Sequence, residues 1–106
     1  TALMAAAAGG SPEAINMLLG ANATVEARNK IGWTSLMVAA RGGNANAIQI
    51  LLNASATVEV QDKDGTNALM LAAASGNPAA VQVLLAASAA LDVQNKHGWT
   101  ALMAAA

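Results

Sequence analysis

At 106 residues, one compact domain is expected, and only 10% of those residues are charged against about a quarter in ordinary domains. The formal net charge of -1 leaves no basic footprint for nucleic acid, and no basic amphipathic helix points to a membrane surface. No apolar run reaches the roughly 18–20 residues that span a bilayer, and the absence of cysteine excludes a disulfide framework and a thiolate metal site.

In chain order, Thr1-Ala2-Leu3-Met4 opens an alanine-rich helix expected over Ala2–Ala8. Gly9-Gly10 stops it. Ser11-Pro12 then starts a second helix, Pro12–Gly20, because a capping residue followed by Pro loses only an N–H that would be unbonded anyway. An extended stretch leads to a hairpin-like finger centred on Arg28–Trp33. The pattern then returns. Helices are expected over Ser35–Arg41 and Ala45–Asn53, the second capped by Asn44. Alternating valines, Val58 and Val60, lead into a finger at Gln61–Thr66. Helices over Ala68–Ala74 and Pro78–Ala86 follow, then a finger at Gln94–Trp99 and a helix at Ala101–Ala105.

The return has a fixed period. Leu3, Leu36, Leu69 and Leu102 are each 33 residues apart, as are Gly32, Gly65 and Gly98, and the Leu-Leu pairs at Leu18, Leu51 and Leu84. A period in this range is the signature of a solenoid, in which each repeat buries its apolar face on its neighbours. The array divides at about 1–33, 34–66, 67–99 and a partial 100–106. Neither end carries a polar capping repeat, so the expectation is a segment of a longer array. Leu36, Met37, Ala40, Leu51, Leu52, Val58, Leu69, Met70, Ala73, Leu84 and Leu85 are expected in the core. Asn16, Ala47, Gln49, Ala79, Ala80, Gln82 and Ala86 are expected on the outer face of the second helices.

The repeated Gly-x-Thr-x-Leu-x-x-Ala-Ala, the Gly-containing turn, the Leu-Leu pair and the Val or Leu before an acidic residue resemble the ankyrin repeat over essentially the whole chain. The resemblance implies an all-α solenoid of paired antiparallel helices with projecting β-hairpin-like loops. It also marks departures. The family's Pro is Ser35, Ala68, Ala101 or Ala2, and its His is Met37, Met70, Met103 or Met4. The Gly that closes the second helix is Asn22, Ser55 or Ser88, which places a side chain where left-handed backbone is expected, at about 1 kcal/mol each. The Asn after the finger's Val is Glu26, Glu59 or Asp92.

No residues compose a catalytic site. There is no Ser/His/Asp set, no phosphate-cradling loop and no carboxylate pair between apolar walls. The ladder of one Met per repeat suits core filling rather than a soft metal. Glu26, Glu59 and Asp92 read as a solvated finger stem, and the Asn22 and Asn53 glycan-acceptor patterns are short and inflated by repetition. The chain is therefore expected to be no enzyme, to hold no cofactor or metal, and to bind neither nucleic acid, membrane nor small-molecule substrate.

What remains is a surface for protein partners. By resemblance, finger tips and first helices form the concave binding face. Trp33 and Trp99 follow the finger glycines and are the only aromatic residues, so they are the expected anchors. Lys30, Ile31, Lys63, Asp64, Thr66, Lys96 and His97 surround them, with Arg41 further along its helix. The leading expectation is a non-catalytic interaction module. A structural spacer buried in a multi-subunit assembly, and the interaction domain of an enzyme whose catalytic domain lies outside this chain, are the alternatives. A cytoplasmic or nuclear location fits the absence of cysteine.

Overall fold

Six helices form where the repeat pattern places them, and the structure, a computed structural model, describes residues 1–87. They are α1 (Ala2–Gly9), α2 (Pro12–Gly20), α3 (Ser35–Arg41), α4 (Ala45–Asn53), α5 (Ala68–Ser75) and α6 (Pro78–Ala86). The expected helix at Ala101–Ala105 and the finger at Gln94–Trp99 lie outside the described residues. Among the described residues there is no strand.

Each start is chemically marked. The side-chain oxygens of Thr1, Ser11, Thr34, Asn44, Asn67 and Asn77 each accept a backbone N–H of the helix that follows. That satisfies one of the donors left over in every first turn. The ends are equally specific. Asn22 and Ser55 adopt φ of 65° and 69°, in the left-handed region expected there. This lets the Ala23 N–H reach the Leu18 carbonyl and the Ala56 N–H reach the Leu51 carbonyl, both at 3.0 Å, the wrapped helix ending usually made by glycine.

The helices stack in two rows. α1, α3 and α5 form one, α2, α4 and α6 the other, and each first helix packs against the second helix of its own repeat. Leu3, Ile15, Leu36, Met37, Ile48, Leu51, Leu69 and Leu84 fill the space between the rows and are almost wholly buried. Met4, Met37 and Met70 are all buried, the core filling expected of the Met ladder; Met103 lies outside the described residues.

Three expected core residues sit elsewhere. Leu85 is 41% exposed, and Leu52 and Val58 are half-buried. Successive residues of a helix point about 100° apart, so in the second and third pairs the first Leu is fully buried and the second is not. Val58 lies on the finger stem, one side of which faces solvent. Conversely, Ala47 and Ala80 are fully buried rather than on the outer face. Each stands four residues before a core leucine, Leu51 or Leu84, and so shares its face. Asn16, Gln49, Ala79, Gln82 and Ala86 are exposed as expected.

Adjacent repeats are also pinned by polar bonds. Asn44 caps α4 with Oδ1 and donates its Nδ2 to the Gly10 carbonyl at 3.4 Å. Asn77 caps α6 and donates to the Gly43 carbonyl at 2.5 Å. Gly10 has no room for a side chain: a Cβ there would lie 2.1 Å from Asn44 Nδ2.

Candidate protein-interaction surface at the finger tips

Each of the two described fingers is built around one acceptor. Asn29 Oδ1 takes the N–H groups of Ile31 and Trp33, at 3.1 and 3.0 Å, while the Asn29 N–H donates to the Trp33 carbonyl at 2.9 Å. The next finger repeats this with a carboxylate. Asp62 Oδ1 takes the N–H groups of Asp64 and Thr66, at 2.8 and 2.9 Å, and the Asp62 N–H donates to the Thr66 carbonyl at 2.9 Å. A short acidic or amide side chain reaching its own backbone two residues on is the usual way to fix such a turn. Gly32 completes the first tip at φ 87°, with Asp62 Cα only 3.3 Å from where its Cβ would stand.

Bonds then run from finger to finger. Trp33 Nε1 donates to Asp62 Oδ2 at 2.9 Å. Arg28 donates its Nε to the Gly32 carbonyl at 3.0 Å and its Nη2 to the Gln61 carbonyl of the next repeat. Glu26 Oε1 accepts the Thr57 N–H at 2.9 Å. Glu26 is thus exposed but bonded across the repeat boundary, a correction to the reading of it as merely solvated.

Between the first two tips lies a depression of about 290 Å³ lined by Lys30, Ile31, Trp33, Asp62, Lys63 and Asp64. Ile31 is 54% exposed and Trp33 half-buried, so an apolar floor is open to solvent. Five of the expected site residues therefore come together. Thr66 is held in the adjoining Asp62 turn. Arg41 is exposed at the far end of α3, roughly 10 Å from the fingers at 1.5 Å per residue, and does not line the depression. Trp99, Lys96 and His97 lie outside the described residues.

Asn29, Asp62 and Arg28 organise this surface and were not among the expected site residues. The signal for the first two was present: Asn29, Asp62 and Asn95 recur 33 residues apart, four before Trp33, Thr66 and Trp99. Among the described residues, no group of three His, Asp or Glu side chains could hold a metal ion. No helix there is long and apolar enough to cross a membrane.

Stacked helix pairs, a fixed repeat and bonded projecting loops define a helical-repeat solenoid. The model of the ankyrin repeats (three copies) matches residues 1–62 and 54–106. The chain belongs to the ankyrin-repeat family, whose domains are generally protein–protein interaction modules and typically non-catalytic. No curated protein matches the chain.

Proposed function

We propose that this chain is a non-catalytic interaction module that grips a protein partner with its finger tips and first-helix concave face. The supporting observation is the depression between two fingers, whose walls are braced by the Asn29 and Asp62 turn bonds and by the Trp33–Asp62 bond, and whose floor carries exposed Ile31 and the Trp33 ring. A pre-formed surface loses little conformational freedom on binding, which leaves more of the contact energy for affinity. Trp33 is the central anchor, flanked by Lys30, Ile31, Lys63, Asp64 and Thr66. Lys96, His97 and Trp99 hold the equivalent sequence positions of the next repeat, and Arg41 would extend the surface along α3.

Selection of binding peptides from a random library, with the intact chain as bait, tests this reading. Ile31→Asp and Trp33→Ala are expected to abolish or weaken most selected binders, by about 2 kcal/mol or more for a hot-spot Trp, while the far-UV CD stays helical. Binding that survives both changes but is lost on Gln49→Glu or Gln82→Glu would place the interface on the second-helix face and favour the spacer reading.

A further inference from the structure

The finger tips have used up almost every group that could recognise an anion, and what they leave free is specific. Backbone N–H groups in a tight turn form a ready anion cradle, but here Asn29 Oδ1 occupies those of Ile31 and Trp33, and Asp62 Oδ1 those of Asp64 and Thr66. Arg28, the cation with the fork that grips phosphate or carboxylate two-handed, spends its Nε and Nη2 on the Gly32 and Gln61 carbonyls. The Asp62 carboxylate is likewise engaged, by Trp33 Nε1 and by the two turn N–H groups. Two charges remain. Lys30 and Lys63 stand exposed at the same position of successive tips, on either side of Ile31 and Trp33, and neither ammonium has a hydrogen-bond or ion-pair partner. The sequence sets a third lysine, Lys96, in the same register.

We infer that the partner segment is an extended acidic peptide with one carboxylate for each finger, spaced three residues apart, and an apolar side chain between them seated on Ile31 and Trp33. This rests on the finger-tip reading above and adds the partner's chemistry to it. The spacing follows from two rises. Stacked helix pairs repeat every 8–10 Å or so, and a chain in the extended polyproline II conformation advances about 3.1 Å per residue with three residues per turn, so every third residue returns to the same face and meets the next lysine. Point charges one repeat apart, with an apolar floor between, match charge spread along a peptide better than one compact polyanion. They also match it better than a nucleic-acid strand, whose bases would need aromatic faces to stack on.

The test uses the full chain and a fluorescent peptide carrying Glu at every third position, with Leu and Ser between. Its controls are the same peptide with Gln for Glu, and one with the Glu residues contiguous. The spaced glutamate peptide should bind best and weaken with added salt. Lys30→Gln and Lys63→Gln should each cost about two- to fivefold, the range an exposed ion pair supports. Lys30→Glu combined with Lys63→Glu should switch preference to a peptide carrying Lys at those positions. Equal binding of the Glu and Gln peptides would overturn the proposal. So would equal binding of the contiguous peptide, insensitivity to both lysine changes, or tighter binding of a single-stranded oligonucleotide through the same lysines. Library peptides that are neutral yet lost on Ile31→Asp would overturn the acidic partner and leave the finger-tip surface standing. Library peptides indifferent to Ile31→Asp would remove both.

Discussion

Trp33 of one finger donates its indole N–H to Asp62 of the next, Nε1 to Oδ2 at 2.9 Å, so the largest side chain on the proposed binding face is also a bolt between repeats. The bond ties one finger to the next, while the ring lines the depression between them. Its N–H is committed to the fold, and its faces are what a partner can touch.

Trp33→Phe keeps most of the ring and removes that bond. It should cost about 1 kcal/mol, toward the low side for a bond to a charged acceptor because Trp33 and Asp62 are only partly buried. Asp62→Ala also releases the Asp64 and Thr66 N–H groups and should cost about 2 kcal/mol. Urea unfolding of the two single variants and the double variant measures the coupling. Strictly additive costs would mean the finger-to-finger bond contributes nothing to stability.

Ser35 stands at the first position of α3, fully buried, with its Oγ bonded to nothing. A buried hydroxyl without a partner costs about 1–3 kcal/mol, and the equivalent residues Ala2 and Ala68 have no such group. Ser35→Ala should raise stability by about 1 kcal/mol. Ser35→Pro should do at least as well, since the first helical position tolerates Pro and Thr34 before it is already extended at ψ 173°. A lowered urea midpoint for Ser35→Ala would show that the hydroxyl has a partner after all.

The helices were legible almost to the residue because two independent signals coincide at each, the period and a capping residue, joined in α2 and α4 by an apolar face. Only the last residues of α1 and α5 extend further than expected, to Gly9 and Ser75. Side-chain direction was harder to read. Leu85 counts as core by composition, yet it sits one residue past Leu84 and turns outward, while Ala47 and Ala80 look like drift and are fully buried. The finger surface was half legible. Rare Trp33 marks itself, but Asn29 and Asp62 differ in charge and are ordinary turn residues, so their shared task of holding the tip appears only when the register is followed through both fingers.

Ser55 ends α4 at φ 69°, a conformation that brings Cβ close to its own carbonyl oxygen. Ser55→Gly should stabilise the chain by about 0.5–1 kcal/mol, the local strain removed less the extra freedom of an unfolded glycine. Asn22→Gly should gain less, because Asn already tolerates the left-handed region. Ser55→Val should be destabilising, as a β-branched residue fits this backbone poorly. Thermal midpoints rank the three, and a Val variant as stable as the Gly variant would show that the left-handed ending is not kept in solution.

The repeats supply their own control for where protection should be greatest. Ser35, Ala39 and Ala47 are buried and Ile50 half-buried, because the α1–α2 pair lies against them. Their counterparts one repeat earlier are more open: Ala2 is exposed, Ala6 and Ala14 half-buried, and Met17 is 76% exposed. In a solenoid, each repeat is stabilised by its neighbours, so a pair covered on one side opens more readily than a pair covered on both. Amide exchange should therefore be slowest between Leu36 and Val58 and distinctly faster in α1 and α2. Truncation at an open position and at a covered one should differ in the same sense. Met17→Ala should change stability by less than about 0.5 kcal/mol, as surface changes do, whereas Ile48→Ala, at a wholly buried site in the middle repeat, should cost about 2–5 kcal/mol. Equal protection from α1 through α4, together with a large cost for Met17→Ala, would mean that something in solution covers the open face of α1 and α2.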